Sequence, residues 1–389
     1  MDSLYWQKKM KILLTTFTFP PDENGVSNVV YEHAKGLASN GYDVMVVTAL
    51  RLDRDSIKFR QKGIEIIEFD ISGWRKYKGE IGKYQTFIKG INVDFLVLHC
   101  WQTWSTDLAL PLLHKKECKK VFVSHGFSGN LLYSPRSLAS WFAWRPYIWR
   151  MPRYLKSFDH LIFLSSSIDK NRFYDFYLVN KLGLNNYSII PNGAQNIQNE
   201  ACKIDLKAEY NIKTKFLVIN VSNYSTLKNQ KMAVEAFIKS EVQDCCLALI
   251  GNKKNDYSNK IETLIRKKNM KDRIFLLDGL KKEEIVAAYK AADIFLHPSK
   301  TEVQPLVILD AMAAGIPFIS TNVGCVKNFP GGYIANNKDE MAFFLQQLIN
   351  NDKQRKELGI AGRTAYLKNY SWRHIIGKHE QLFDNLKYL

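Results

Sequence analysis

The sequence has no hydrophobic run long enough to cross a membrane. None of its apolar stretches approaches the roughly 18 uninterrupted residues that a spanning helix needs. The first ten residues, Met1 to Met10, lack the apolar core and the small-residue site of a secretory signal. We therefore expect a cytoplasmic protein, and peripheral contact with the inner face of a membrane remains open.

Cysteine is scarce, and its spacing fits no metal site. None of the six cysteines forms a paired motif with metal-ligand spacing, so we predict free thiols in a reducing compartment and no bound metal. No repeat of 20 to 50 residues and no low-complexity tract is present, which excludes a solenoid. The cysteines are at positions 100, 118, 202, 245, 246 and 325.

Acidic residues are too few to balance the basic ones. The 389 residues include 55 Lys and Arg but only 38 Asp and Glu, a formal net charge of +17. Such an excess indicates an anionic partner, and composition alone does not choose between nucleic acid, an acidic membrane surface and a phosphorylated substrate. The hydrophobic fraction of 46% is that of an ordinary globular protein and excludes a disordered chain.

Short apolar runs alternate with helix-length amphipathic segments from one end of the chain to the other. This alternation predicts an α/β protein with parallel sheets covered by helices on both faces. In the first half the predicted strands are Lys11–Phe17, Tyr42–Thr48, Asp94–His99, Val121–Ser124 and His160–Leu164. In the second half they are Phe216–Val221, Cys246–Ile250, Arg273–Leu277, Asp293–His297 and Pro317–Ser320.

A second series of alternating predicted strands and helices begins after Pro191-Asn192-Gly193, which indicates two Rossmann-like domains. We place the first at residues 1–194 and the second at 195–371, with the two sheets facing a central cleft. Three further helices are predicted at the end of the chain: Ala342–Leu348, Asp352–Asn369 and Trp372–Leu386. We expect the last of them, within 372–389, to cross back to the first domain.

The stretch from Pro298 to Gly324 carries the strongest signal for a ligand site. A predicted strand ends there, a loop carries Glu302, and a helix begins near Pro305, since proline is favoured in a helix's first turn. Free backbone donors at such a terminus attract a phosphate, and the carboxylates of Glu302 and Asp310 can accept hydrogen bonds from sugar hydroxyls. The residues predicted to line the site there are Val303, Gln304, Pro305 and Leu306.

This stretch resembles the signature of the family-4 retaining glycosyltransferases, which have the GT-B fold. The family pattern is Glu, seven residues, Glu, then Ala-Met-Ala-x-Gly-x-Pro; here Glu302, VQPLVIL and Asp310 precede AMAAGIP. Ser124-His125-Gly126 is similar to the family's Thr-His-Gly element, Ile190–Gly193 (IPNG) to its interdomain turn, and Tyr370-Ser371-Trp372 to the start of its terminal helix. The resemblance covers nearly the whole chain.

The chain departs from the family pattern at two positions. Asp310 is one methylene shorter than the usual glutamate and should still accept ribose hydroxyls. Family members usually carry Gly-Arg, four residues, then Lys after the first strand of the second domain, whereas this chain keeps Lys228 and has Asn223 in place of the arginine. Losing one cation removes charge stabilisation of about 2–4 kcal/mol, which Lys253, after the strand end at Gly251, could supply instead.

The resemblance implies a role for each matched residue. Lys228 and helix N-termini would steady the departing nucleotide diphosphate without a metal, and Glu302 would hold the sugar. His125 would contact a sugar hydroxyl, and Asp310 would bind the ribose. Gly25, in the loop before the first helix, would let the backbone approach the phosphate or the acceptor. The implied partners are a nucleotide-sugar donor and a glycan or lipid-linked acceptor, with no cofactor.

A basic, aromatic segment lies in the first domain. Residues 118–158 contain seven Lys or Arg and no Asp or Glu, and Trp141 to Arg150 holds three of the eight tryptophans. This mixture within residues 136–156 suits an anionic bilayer surface, and the alternative is an aromatic helix packed on the sheet. Pro146 and Pro152 predict a kinked or broken element.

The leading functional prediction is a retaining, metal-independent glycosyltransferase of hexosyltransferase type, acting in cell-surface or lipid-linked glycan synthesis. A catalytically weakened sugar-nucleotide binder or scaffold is the alternative that Asn223 suggests. An epimerase or phosphorylase of the same fold is disfavoured by the spacing of Glu302 and Asp310. Nucleic acid is not expected as a partner, because the chain has no recognised nucleic-acid motif.

Overall fold

The computed structural model describes residues 10–74, 76–129, 135–167 and 172–388. The chain divides into two compact units: unit 1 is Met1–Asn192 with Trp372–Leu389, and unit 2 is Gly193–Ser371. The division falls two residues before the boundary expected from the sequence, inside the same Pro-Asn-Gly turn. All six cysteines are free thiols, and four of them are buried.

Unit 1 is built on a parallel seven-stranded sheet. Its strand order is β3-β2-β1-β6-β7-β8-β9, so Ile12 of β1 pairs with Val44 on one side and with Phe95 on the other. The strands are β1 (Lys11–Thr15), β2 (Asp43–Ala49), β3 (Ile64–Phe69), β6 (Phe95–His99), β7 (Lys119–Ser124), β8 (His160–Phe163) and β9 (Tyr187–Ile189). A small antiparallel pair, β4 (Ile71–Ser72) and β5 (Lys78–Gly79), lies between β3 and the next helix.

The helices of unit 1 include the last helix of the chain. Helix α15 packs on α1, and a Cβ on Gly36 of α1 would lie 2.4 Å from Ile376, so the two helices are in direct contact there. The expected return of the last helix to the first domain is therefore observed. The helices are α1 (Gly25–Ser39), α2 (Ser56–Arg60), α3 (Ile81–Gly90), α4 (Trp104–Asp107), α5 (Pro135–Ala143), α6 (Arg145–Leu155), α7 (Tyr174–Leu182) and α15 (Trp372–Lys387).

Unit 2 is built on a parallel six-stranded sheet with the order β12-β11-β10-β13-β14-β15. Its β11 is buried at every position, as a strand covered by helices on both faces must be. The strands are β10 (Phe216–Val221), β11 (Cys245–Gly251), β12 (Ile274–Asp278), β13 (Ile294–His297), β14 (Phe318–Ser320) and β15 (Gly332–Ile334). The prediction of an α/β protein with two Rossmann-like parallel sheets is confirmed.

Two apolar clusters, one on each face of this sheet, form the core of unit 2. Helix α12 ends at Gly315, whose φ of +76° is the left-handed conformation that commonly caps a helix C-terminus. The helices are α8 (Leu206–Glu209), α9 (Gln230–Lys239), α10 (Asp256–Lys267), α11 (Lys282–Ala291), α12 (Leu306–Ala314), α13 (Lys338–Asn350) and α14 (Asp352–Ala365).

Candidate active site

An ion pair in unit 2 joins two residues of the predicted site. Nζ of Lys228 lies 2.6 Å from Oε1 of Glu302. Lys228 follows β10, Glu302 follows β13, and these two parallel strands are neighbours in the sheet. The loops are also joined through the backbone, because Lys300 donates to the carbonyl of Leu227 at 2.8 Å. The carboxyl ends of adjacent parallel strands are where such folds bind ligands.

The carboxyl group of Glu302 is held in its ionised form. Burial alone would raise its pKa, since only 13% of the side chain is exposed. The neighbouring His297 ring and the Lys228 ammonium outweigh burial and lower the pKa of Glu302 to about 2. Glu302 is therefore a carboxylate acceptor at any physiological pH.

His297, which had no predicted role, lies against this carboxylate. It is the last residue of β13 and is 1% exposed. Its Nδ1 lies 2.9 Å from Oγ of Ser320, and its Nε2 lies 3.5 Å from Oε1 of Glu302. That second distance is long for a hydrogen bond. Burial lowers the pKa of His297, while the carboxylate of Glu302 acts in the opposite direction.

Helix α12 begins at Leu306, and Pro305 stands at the capping position instead of in the first turn. The ψ angle of Pro305 is 115°, which is extended backbone and not helical. The backbone N–H groups of Leu306 and Val307 donate to no group in the described part of the chain. The helix start therefore offers unpaired donors four residues after Glu302, while Val303 and Gln304 between them are buried.

The loop after β14 contacts the loop that carries Glu302. Gly324 has a φ of +56°, and a Cβ there would lie 2.2 Å from the carbonyl oxygen of Val303. The next residue, Cys325, donates its backbone N–H to that same carbonyl at 3.1 Å. Only glycine allows this approach, so Gly324 helps to set the path of the loop around Glu302.

Asp310 lies in the second turn of α12 and is part-buried. Burial raises the pKa of Asp310 to about 7, although Lys282 acts in the opposite direction. No hydrogen bond or ion pair to its carboxyl group is found among the described residues. A part-buried carboxyl group without a protein partner is available to a ligand, which is the role that the sequence predicts for it.

Asn223 is exposed, and its backbone, not its side chain, makes the contact seen in the structure. The carbonyl of Asn223 accepts a hydrogen bond from Nε2 of Gln230 at 3.0 Å. Gln230 begins α9 and also donates to Oγ of Ser222 at 2.8 Å, so it ties the end of β10 to the helix. The side chain that stands in place of the family's arginine is therefore a neutral amide at the surface of unit 2.

Gly251 ends β11, and Lys253 follows that strand two residues later. A Cβ on Gly251 would lie 2.3 Å from the ring of Tyr224, whose hydroxyl lies 2.7 Å from the carbonyl oxygen of Leu249 and 2.9 Å from that of Leu277. Gly251 thus makes room for a buried tyrosine that the sequence did not mark as important. Lys253 is exposed and forms no ion pair with the described residues, so its charge is available to an anion.

His125 belongs to unit 1, directly after β7. Its Nε2 lies 3.0 Å from Nδ1 of His99, the last residue of the neighbouring β6. Burial lowers the pKa of His125 to about 4, so the ring is neutral. His99 was also without a predicted role, although a histidine that ends an apolar strand, as in FLVLH and IFLH, is a signal that sequence analysis could use.

The sequence places Gly25 in the loop before the first helix, and this prediction is wrong. Gly25 is the first residue of α1. The preceding Asn24 caps the helix by accepting from the backbone N–H of Ser27 at 3.0 Å. Asn24 also donates to Oγ1 of Thr18 at 2.8 Å, which ties the helix start to the loop after β1. Capping by Asn24 starts the helix at Gly25, which therefore lies in its first turn.

The basic, aromatic segment forms two helices, α5 and α6, which are separated at Trp144, just before Pro146. Pro152, by contrast, lies inside α6. One face of α6 is buried through Ile148, Met151 and Leu155. Its opposite side is exposed: Trp149 is 76% accessible, and Arg150, Arg153 and Lys156 are also exposed. The segment therefore packs on its unit with one face and exposes a basic, aromatic face to solvent. The side chain of Arg136, also in this segment, is outside the described part of the structure.

The described part of the chain contains neither a cluster of metal ligands nor a membrane-spanning helix. Within the ranges given above, no group of three or more His, Cys, Asp or Glu side chains could hold a metal ion. Within those same ranges, no helix is both long enough and apolar enough to span a bilayer.

Comparison with known proteins covers both units. Residues 23–194 match the sequence model described as Glycosyltransferase Family 4, and residues 203–365 match the model described as Glycosyl transferases group 1. The crystal structure of Anabaena HepE in complex with UDP and glucose superposes with a TM-score of 0.72, covering 98% of this chain and 100% of that one at 16% identity. The chain belongs to the family-4 glycosyltransferases of the GT-B fold.

Two curated relatives match this glycosyltransferase over part of their length. N-acetyl-alpha-D-glucosaminyl L-malate synthase of Bacillus anthracis is 26% identical over 186 residues, 46% of this chain and 48% of the relative. The GDP-mannose-dependent alpha-(1-6)-phosphatidylinositol monomannoside mannosyltransferase of Mycolicibacterium smegmatis is 24% identical over 183 residues, 43% of this chain and 47% of the relative. The chain thus matches about half the length of each.

Proposed function

We propose that this family-4 glycosyltransferase moves a sugar from a nucleotide-sugar donor to an acceptor hydroxyl, with retention of anomeric configuration and without a metal ion. The observation that carries the proposal is the Lys228–Glu302 pair at the ligand-binding edge of unit 2. Its two charges match the two halves of a nucleotide sugar, because the ammonium suits the diphosphate and the carboxylate suits sugar hydroxyls.

Transfer breaks the bond between the anomeric carbon and the diphosphate, so negative charge develops on the leaving group. Lys228, Lys253 and the unpaired N–H groups at the start of α12 stabilise that charge. Glu302 binds the sugar through its hydroxyls, and Asp310 binds the ribose. The acceptor hydroxyl gives its proton to the departing phosphate oxygen, a route that needs no side-chain base.

The relatives suggest which substrates to try first. One is described as GDP-mannose-dependent and acts on a phosphatidylinositol mannoside, and the HepE structure contains UDP and glucose. We therefore propose a UDP- or GDP-linked hexose as donor, and a glycan or lipid-linked acceptor in the synthesis of a cell-surface or lipid-linked glycan. The exposed Trp149, Arg150, Arg153 and Lys156 of α6 would place unit 1 on an anionic membrane that carries such an acceptor.

Incubation with a panel of UDP- and GDP-hexoses and glycolipid acceptors tests the proposal. The expected product is a glycoside whose anomeric proton, followed by NMR, has the configuration of the donor, in the presence of EDTA. An inverted product, or turnover that EDTA abolishes, would contradict the retaining, metal-independent mechanism. Absence of any donor binding across the panel would contradict the function itself.

A weakened sugar-nucleotide binder is the second candidate, because the exposed amide of Asn223 replaces a cation that the family uses on the diphosphate. This candidate predicts nucleotide-sugar binding without turnover. The variant Asn223→Arg restores the charge and separates the two cases. A wild type that turns over shows an active enzyme, whereas turnover in Asn223→Arg alone shows that the natural chain binds without transferring.

A further inference from the structure

A buried histidine and a part-buried histidine of unit 1 share one hydrogen bond. Nδ1 of His99 and Nε2 of His125 are 3.0 Å apart, and the rings are tilted with centroids 5.3 Å apart. Their backbone positions are set by neighbouring parallel strands, since His99 ends β6 and pairs in register with Val123 of β7. The bond needs one proton, which belongs either to His99 or to His125.

The second nitrogen of each ring decides between these arrangements. His99 is fully buried, and its Nε2 has no hydrogen-bond partner among the described residues. It borders a small cavity that is also lined by His33 and His379, and the buried Nε2 of His33 and Nδ1 of His379 are likewise without partners in that part of the chain. By contrast, Nδ1 of His125 is not among the buried unpartnered atoms, and the residue is only part-buried.

Burial keeps all four of these rings neutral. It lowers the pKa of His33 and of His99 well below the usual value, that of His125 to about 4 and that of His379 to about 3. Each ring therefore carries a single proton. If His125 donated to His99, the proton of His99 would sit on Nε2 and point into the cavity without an acceptor within hydrogen-bond distance.

An orphaned buried N–H group is rarer in proteins than an orphaned acceptor. The arrangement that avoids it has His99 donating from Nδ1 to Nε2 of His125, which leaves only a lone pair of His99 facing the cavity. His125 then carries its own proton on Nδ1, the nitrogen that no group in the described chain contacts.

We infer that His99 is a positioning residue, which holds the ring of His125 in place and fixes its proton on Nδ1. His125 thereby presents an N–H donor, and not a lone pair, to its ligand. This inference rests on the proposed function, on which that ligand is a substrate hydroxyl that His125 recognises through the hydroxyl's oxygen. The pair acts as the Asp–His element does in hydrolases, where a second group selects the tautomer of the first.

The test is an NMR measurement of ring nitrogens in protein labelled with ¹⁵N-histidine. The chain has eight histidines, and the variant His125→Asn identifies the signals of His125 by their loss. We expect Nδ1 of His125 to be protonated and Nε2 to be unprotonated. In His99→Leu the ring of His125 should lose its preference for protonation at Nδ1. In His99→Asn the side-chain amide can replace the Nδ1–H donor of His99, so His125 should again be protonated at Nδ1. His160→Asn is the control and should leave the tautomer of His125 unchanged, because His160 lies on β8 and its hydrogen-bond partner is Ser188.

Kinetics give a second, separate readout. His99→Leu should lower kcat/KM for the nucleotide sugar by roughly tenfold, because a ring without the selected tautomer loses one hydrogen bond to the hydroxyl, and His99→Asn should restore it. A proton on Nε2 of His125 in the wild type, or an unchanged tautomer in a folded His99→Leu, would overturn the inference. Since the tautomer is measured without substrate, an inactive wild type would count against the proposed function alone.

Discussion

At the scale of single residues, two carboxyl groups in the candidate site of unit 2, those of Glu302 and Asp310, differ in pKa. Glu302 is ionised because Lys228 and His297 offset its burial, whereas Asp310, eight positions later, has no such partner and its pKa rises to about 7. Two carboxyl groups of one site thus differ in pKa because their neighbours differ. Glu302 is pre-set as an acceptor, and Asp310 remains near its titration midpoint at neutral pH.

The raised pKa of Asp310 predicts a pH-dependent loss of stability. Its native state binds more protons than the unfolded state between about pH 4 and pH 7, so ionisation of Asp310 lowers the free energy of unfolding as pH rises through this range. Asp310→Asn removes the penalty. We expect the variant to gain roughly 1 to 2 kcal/mol over wild type between pH 5 and pH 8, since partial exposure reduces the full effect.

Denaturant unfolding at the two pH values measures this gain. Asp339→Asn is the matched control in the same unit, because a hydrogen bond from Lys239 lowers the pKa of Asp339 instead of raising it. A gain that is equal at pH 5 and pH 8, or that Asp339→Asn reproduces, would refute the assignment.

The Lys228–Glu302 pair predicts opposite results for stability and for activity. Lys228→Met leaves a mostly buried carboxylate without its cation and should cost about 2 kcal/mol, less than for a fully buried pair because Lys228 is one-third exposed. The double variant Lys228→Met/Glu302→Gln should recover most of that stability and remain inactive. Thermal unfolding and the transfer assay check this, and activity in the double variant would show that the pair is structural only.

At the scale of elements, the sequence predicted strands best where both faces are covered. Phe216–Val221 was placed with its observed bounds, because β10 lies inside the sheet and is a continuous apolar run. Of the four edge strands of the two large sheets, the sequence predicts only β12. The other three, β3, β9 and β15, are half-exposed or only three residues long. A short edge strand gives little hydrophobic pattern to recognise.

The site was predictable in part, for a related reason. Lys228, Glu302 and Asp310 follow from short motifs, whose spacing can be compared with the family. The contacts of His297 with Glu302, and of Gly324 with Val303, instead depend on which strands are neighbours and on how two loops meet. Such contacts join residues that no local pattern connects, so only the fold reveals them.

The loop contact at Gly324 predicts that alanine there disturbs the site. Gly324→Ala combines left-handed strain with a close approach to the carbonyl of Val303, and should cost roughly 3 kcal/mol and weaken nucleotide-sugar binding. Gly183→Ala is the control, because Gly183 has a similar φ of +64° and nothing within 4 Å. The control should cost about 1 kcal/mol and leave binding unchanged. Equal effects of both variants on binding would contradict a role for this loop.

The exposed side of α6 predicts binding to anionic lipid. In flotation experiments the protein should rise with vesicles that contain phosphatidylglycerol and not with pure phosphatidylcholine vesicles. Arg150→Gln/Arg153→Gln/Lys156→Gln should weaken this binding by about a hundredfold, at ~1 kcal/mol for each charge. Lys267→Gln/Lys268→Gln/Lys271→Gln removes three exposed charges from unit 2 and should have little effect. Absence of flotation with both lipids would exclude the proposed membrane contact.

At the scale of the whole molecule, two groups of cations within the net charge of +17 have a place in the proposed function. One group lies at the site of unit 2, where Lys228 and Lys253 accompany an unpaired helix start. A second group lies on the exposed side of α6 in unit 1, beside the exposed Trp149. This distribution fits a glycosyltransferase that binds a nucleotide diphosphate in one unit and an acceptor-bearing surface in the other.

The central claim is that Lys228 binds the diphosphate of the donor, and calorimetric titration with UDP and GDP tests it most directly. Wild type should bind one of these nucleotides, Lys228→Met should bind it at least about tenfold more weakly, and Lys239→Met should bind it like wild type. Lys239 is a matched control, since it forms an exposed ion pair with Asp339 in the same unit at 2.8 Å. Equal affinity of wild type and Lys228→Met would contradict the account.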